Sequence, residues 1–428
     1  MKIISKLIFL PFFIAIFNYD LFPVFAIVYI FIFYLGKLKV TFSKTYLKLM
    51  VFLFFLLRFA SSMFSYFENF WTRISQKNYA LNGKFIDIES VFKALSCNSL
   101  GDGEFYFNET TNLLTCPHTV SYGPLFEIIR LENNPYFSKY LFAFIVILIV
   151  ILYSFKLINN LKPNEAFIFS LFVISPPVNF VLERMNFDIF IYICIYITYK
   201  YFKNESIRSF VVFLLALLKY YPIFLLIGSF MYYLVNKDYK SIKYSVYYLS
   251  AYFYLIAYLY LGSLNLLSQP VRPYRPDRTF GILSEAMNLG QIVSINKVIL
   301  YLSIILTIII FSFLLKSKFN NSKIFEDQLS HDLLFMFLIL SLFANYDYRL
   351  AFLVILMPTI LQLEDKVLML SLAIFIFSSP GLLHSYGKLF QLVENYQFAY
   401  LDISFYLLVA ILVNKYKFYL KRNFLNYK

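Results

Sequence analysis

Five short polar clusters interrupt a chain of otherwise apolar runs, and each carries side chains able to move a proton or hold an anion. They are Ile86-Asp87-Ile88-Glu89, Glu183 through Asp188, Lys219-Tyr220-Tyr221-Pro222, Arg272 through Arg278, and Asn345 through Arg349. A carboxylate such as Asp87 or Glu89 can take the proton from an attacking hydroxyl. Lys219, Arg272, Arg275, Arg278 and Arg349 can neutralise a phosphate, arginine as a bidentate fork and lysine as a point charge. Displacement of a phosphate by a hydroxyl needs a base and a cationic pocket together, and such cations can stabilise the departing group without a metal.

Each residue also has a plainer reading. Asp87 is the first candidate for the base, with Glu89 as its alternative; two residues apart, they share a face only if the segment is extended. Both could equally be solvated loop acids. Within Glu183-Arg184-Met185-Asn186-Phe187-Asp188, Arg184 and Asp188 are i,i+4 partners on a continuous helix, a pairing of modest energy. Alternatively Glu183, Arg184, Asn186 and Asp188 contact a sugar. Lys219 precedes Tyr220-Tyr221-Pro222, where proline turns the backbone away from helix; it is a candidate phosphate ligand or an interfacial lysine that snorkels. Asp347 either orients Arg349 toward a phosphate or simply pairs with it, and Asn345 joins the sugar-contact candidates. His118, after Pro117, is a candidate acceptor contact or merely exposed.

The elements that must position these residues follow from composition. With 61% hydrophobic and 14% charged residues among 428, the chain has too few charges to cover a soluble globule. A net charge of +14 without a basic, aromatic-interleaved patch does not point to nucleic acid. The pattern predicts an all-α polytopic membrane protein of about 12–14 spanning or half-spanning helices. Expected spans run approximately over residues 3–17, 21–35, 49–64, 137–155, 164–182, 187–199, 207–219, 222–235, 244–261, 298–315, 333–344, 350–363, 367–379 and 403–413. Several are shorter than the ~20 residues of an upright crossing, as half-helices inside a protein would be. In-and-out threading puts all five clusters on one side and the lysine-rich connections on the other, so both termini are expected to be cytoplasmic. No small-residue cleavage site follows the first pair of spans, which is therefore expected to be a mature hairpin.

Residues 1–48 are expected to form that hairpin and a cytoplasmic linker. Residues 49–428 should form one transmembrane domain with external loops at 65–136 and 262–297. Cys97 and Cys116 lie in the first loop, in a compartment where disulfides persist, and are expected to pair; Cys194 falls within a span. Prolines between Arg272, Arg275 and Arg278 stiffen the second loop into a cationic arm. No phosphate-binding glycine loop or paired-cysteine metal spacing occurs, and the three histidines are scattered. A transporter is less favoured because the halves show no repeat and the cytoplasmic halves of the spans read as nearly free of polar residues.

Taken in order, Asp87-Ile88-Glu89-Ser90-Val91-Phe92-Lys93-Ala94, Tyr122-Gly123-Pro124, Arg184-Met185-Asn186-Phe187-Asp188, Lys219-Tyr220-Tyr221-Pro222 and Asn345-Tyr346-Asp347-Tyr348-Arg349-Leu350 resemble the GT-C superfamily of integral-membrane glycosyltransferases. The closest likeness is to glycosyltransferase family 87, the polyprenyl-phosphate-mannose-dependent mannosyltransferases. The N-terminal hairpin departs from that pattern, as does arginine at 349 where some members carry histidine-containing sequence. The resemblance implies inverting transfer of a hexose, mannose first, from a polyprenyl-phosphate-linked donor to a glycolipid or glycan acceptor. It places the reaction at the outer face of a bacterial inner membrane, among membrane lipids, with Asp87 matching the family's acidic motif. No cofactor, metal or nucleic-acid partner is expected. A polysaccharide polymerase or ligase acting on lipid-linked glycans, and a lipid or solute transporter, are the alternatives.

Overall fold

The computed structural model describes residues 10–17, 22–34, 43–63, 135–183, 186–261, 279–280, 297–315, 322–342, 345–377 and 394–425. These residues are predominantly helical. The helices are α1 (Leu10–Phe17), α2 (Phe22–Tyr34), α3 (Lys44–Met63), α4 (Pro135–Asn160), α5 (Pro163–Val173), α6 (Pro176–Glu183), α7 (Asp188–Tyr201) and α8 (Glu205–Leu218). They continue with α9 (Ile223–Val235), α10 (Tyr239–Leu261), α11 (Lys297–Leu314), α12 (Gln328–Leu340), α13 (Met357–Gln362), α14 (Lys366–Phe377) and α15 (Glu394–Leu425). A 3-10 helix, Asp347–Leu356, leads into α13, and β1 (Thr279–Phe280) pairs antiparallel with β2 (Asn345–Tyr346). Cys97, Cys116, the loop 65–134 and most of 262–297 lie outside the described residues.

α5 is the centre of the packing. Every residue from Ala166 to Val173 is buried, and α2, α3, α4 and α13 surround it. A helix apolar on all sides has no face to give to water, which is why it sits innermost. Its start is fixed locally: Pro163 occupies the first turn, where its missing N–H costs nothing, and Glu165 accepts from the Lys162 N–H at 3.0 Å. Hydrogen bonds from Lys162 to Glu364 and Glu165 raise the lysine's pKa, but this clamp is exposed and adds little stability.

The single span expected over 164–182 is two helices. Pro176 and Pro177 bring α5 to an end at Val173, three residues before Pro176, because a proline disfavours helix at Ser175 and supplies no N–H. The span expected over 350–363 begins instead as a 3-10 turn and becomes α-helical only at Met357. The last span is far longer than expected, 32 residues as α15, because its charged end continues the helix past the apolar stretch. Among the described residues one helix, Tyr140–Asn160 within α4, is long and apolar enough to cross a membrane, and α5, α9, α12 and α14 are among the shorter apolar helices.

Polar groups in the interior are joined rather than scattered. Asp332 on α12 is fully buried and accepts from the Tyr199 hydroxyl of α7 at 2.6 Å and from Ser229 of α9 at 2.5 Å, while His331 Nδ1 lies 3.0 Å from its other oxygen. Arg208 stacks over the Tyr199 ring at 5.5 Å and pairs with Glu205, which also accepts from Tyr233; Gln328 links Arg208 and Tyr233. α8 begins at this network and ends at Lys219, so the network lies at the opposite end of α8 from Lys219, and the interior there is not nearly free of polar residues as the sequence reading expected. A lone aspartate within an apolar run looks isolated in sequence, but helix packing brings two hydroxyl donors to it.

α9 can approach α12 this closely only because residue 228 is glycine: a Cβ there would stand 3.1 Å from the Asp332 Cα. Gly228→Leu should therefore separate the two helices and destabilise the protein by about 1–3 kcal/mol. A melting temperature in detergent equal to that of the unmodified chain would contradict this packing.

Candidate functional site

Three breaks in helix meet at one end of the bundle. At the first, α6 stops at Glu183 and α7 begins at Asp188, with the Asn186 N–H donating back to the Val181 carbonyl at 2.9 Å. The Asn186 side-chain oxygen accepts from the Asp188 N–H at 3.0 Å, closing the turn that aims Asp188. At the second, Lys219 leaves α8 in an extended conformation, and Tyr220 to Pro222 turn the chain back into α9. Proline at 222 enforces this turn because its preceding residue avoids the helical region.

The two breaks are joined by charge. Lys219 Nζ donates to Asp188 Oδ1 at 2.5 Å and to Asn186 Oδ1 at 3.2 Å, and all three residues are buried. Short, charge-assisted hydrogen bonds of this kind are roughly twice as strong as neutral ones. They also offset the large penalty of removing both charges from water.

The third break follows α12. β2 carries Asn345, and the 3-10 helix that starts at Asp347 contains Arg349 and packs against both α6 and α7. The Tyr192 ring lies 6.2 Å from Tyr221 and 5.9 Å from Phe352, so aromatic contacts tie the Lys219 turn, α7 and the 3-10 helix together. β1 pairs Thr279 with Tyr346 and Phe280 with Asn345. In the sequence, Arg278 directly precedes β1.

The expected Arg184–Asp188 contact rests on Arg184, which lies outside the described residues. The helix is interrupted between α6 and α7, and the Asp188 carboxylate is engaged by Lys219 from another helix pair. Asn186, Asp188 and Lys219 are brought together; Glu183, Asn345, Asp347 and Arg349 lie on the adjoining elements. Asp87, Glu89, His118, Arg184, Arg272, Arg275 and Arg278 fall outside the described residues. No group of three or more metal-binding side chains occurs among the described residues.

Chemically, the cluster is a buried ammonium held by two oxygen acceptors at a junction of backbone breaks. A buried cation of this kind can be shared with an arriving anion or can staple the junction. Sequence reading did not foresee the Lys219–Asp188 pair, because 31 residues separate the partners and only the antiparallel run of α7, α8 and α9 unites them.

Removing one partner should weaken the compensation of a buried charge. Lys219→Met or Asp188→Asn alone should cost about 3–5 kcal/mol in unfolding, whereas Lys219→Met with Asp188→Leu should recover much of the loss. Denaturation of the three variants would test this, and single variants as stable as the parent would refute a tight pair. In comparisons with known proteins, no family model, no curated protein and no solved structure matches the chain.

Proposed function

We propose that the protein is a polytopic membrane glycosyltransferase that moves a hexose, mannose first, from a polyprenyl-phosphate carrier to a glycolipid or glycan at the extracytoplasmic face. The observation that carries this reading is the packing of α7, which bears the Lys219–Asp188–Asn186 cluster at its start, against the 3-10 helix that contains Arg349. Membrane placement is supported by α4, whose Leu141, Ile145, Leu148 and Leu152 form an exposed apolar stripe along one helix face. It is supported also by α11, where Val298, Leu302, Leu306 and Ile309 do the same.

In this reaction Asp87, with Glu89 as the alternative, takes the proton from the acceptor hydroxyl as oxygen attacks the anomeric carbon from the face opposite the phosphate. The sugar–phosphate bond breaks with inversion, and the departing phosphate gains negative charge. Arg349 and one or more of Arg272, Arg275 and Arg278 receive that charge, with Lys219 at the base of the pocket. Asn186 and Asp188 hold the turn beneath it, and Asn345, Asp347, Glu183, Arg184 and His118 stand where sugar or acceptor hydroxyls are bound.

A second reading, a cation- or proton-coupled transporter, is favoured by the fully buried Asp332 network. The two readings part on mutation: a transporter loses function with Asp332→Asn and tolerates Asp87→Asn. A polymerase or ligase would likewise tolerate loss of Asp87 but depend on the arginines of the loop.

Purified protein supplied with a panel of radiolabelled polyprenyl-phosphate hexoses should transfer one of them. Asp87→Asn should lower turnover by about 10²–10⁴-fold while donor binding persists. Unchanged turnover would remove Asp87 from the mechanism. For topology, Ser99→Cys and Lys240→Cys should react with an impermeant thiol reagent from opposite sides of sealed vesicles, and labelling from the same side would overturn the threading.

A further inference from the structure

Along α7, from Ile189 beside Asp188 to Tyr201 at the far end, runs a cavity of about 340 Å³ that the proposed reaction does not use. Its walls are α4 and α7, through Ile149, Tyr153, Ile193 and Tyr196, and its floor includes Phe169 of α5 and Val354 of the 3-10 helix. The lining residues of α7 run from Ile189 to Tyr201, a rise of roughly 18 Å at 1.5 Å per residue. That is close to the depth of one leaflet, half of a hydrocarbon core ~30 Å thick.

The groove is chemically lopsided. Its sides are apolar, but its far end is closed by Lys156, whose Nζ donates to the Tyr201 hydroxyl at 2.7 Å and sits 5.3 Å over that ring. Lys156 is exposed and makes no ion pair among the described residues; Lys200 also acts electrostatically on Tyr201. A site of this shape accepts an amphiphile with a long apolar body and an anion at one end.

We propose that the groove binds an anionic phospholipid, with one acyl chain lying between α4 and α7 and its phosphate on Lys156 and Tyr201. A peptide in the same place would leave its backbone N–H and C=O groups without partners. A zwitterionic lipid would bring its own cation up against Lys156 and Lys200. The donor's phosphate belongs at the opposite end of α7, so this lipid occupies the other leaflet. The inference rests on the membrane placement proposed above and is independent of sugar transfer.

The full chain, reconstituted in nanodiscs, is to be irradiated with phosphatidylglycerol carrying a diazirine on one acyl chain, and with phosphatidylcholine bearing the same chain. Peptide mapping should place the phosphatidylglycerol adducts on α4 and α7, about fivefold above phosphatidylcholine, the scale of one basic residue acting on an anionic headgroup. Lys156→Gln should bring the two lipids level, Lys156→Arg should keep the preference, and Ala351→Phe, which fills the floor, should lower both. Equal labelling of the unmodified chain by both lipids would overturn the proposal, as would adducts that polyprenyl phosphate displaces. Release of the protein from native membranes by alkaline carbonate would instead overturn the membrane placement and this inference with it.

Discussion

A lysine and an aspartate held against each other out of water determine how the central helices of this protein fit. The ammonium of Lys219 and the carboxylate of Asp188 each carry a large desolvation penalty alone, so the fold must deliver one to the other. α7 and the α8–α9 hairpin are placed so that their broken ends coincide, and Asn186 completes the arrangement by bracing both partners. A continuous helix through residues 183–188 would carry Asp188 on an unbroken extension of α6. The interruption is therefore what allows the charge to be met.

Many of the serine and threonine hydroxyls take little part in joining one helix to another. Ser154, Ser170, Ser341 and Ser371 return their hydrogen bonds to carbonyls one turn back in their own helices, as does Thr198. Such bonds satisfy the hydroxyl without specifying a neighbour. Several contacts that do choose neighbours involve charge: Lys219 with Asp188, Asp332 with Tyr199 and Ser229, and Lys415 of α15 with Asp365 before α14, 2.7 Å apart and buried. His331 completes the Asp332 group within a shell of aromatic rings, Tyr232, Phe335, Tyr416 and Tyr419, that spans α9, α12 and α15.

Helix positions along the chain were largely legible because apolar runs and prolines mark them: Pro222 before α9 and the run ending at Leu261 are plain in the sequence. Where the sequence misled, the cause was local chemistry that a hydropathy reading averages away. Ser175-Pro176-Pro177 lies inside an apolar run yet breaks it, and the run from Leu350 onward hides a 3-10 start. Of the candidate site, the identities of Lys219, Asn186 and Asp188 were readable as polar residues at span ends. Their mutual contact was not, since pairing across 31 residues depends on which helices become neighbours. Asp332 was missed altogether, because one acid near the start of an apolar helix gives no hint of the hydroxyls that will converge on it.

α7 bears Asp188 at its first residue and Tyr199 eleven residues later, nearly three whole turns, so both lie on almost the same face. One is secured by Lys219 and the other by Asp332, which the ribosome adds 133 residues after Tyr199. At ordinary rates of translation the interval is on the order of ten seconds. During that time Tyr199 has Arg208 and Ser229 beside it but lacks its carboxylate acceptor, and the nascent bundle must shelter an unfinished seam until α12 emerges to close it.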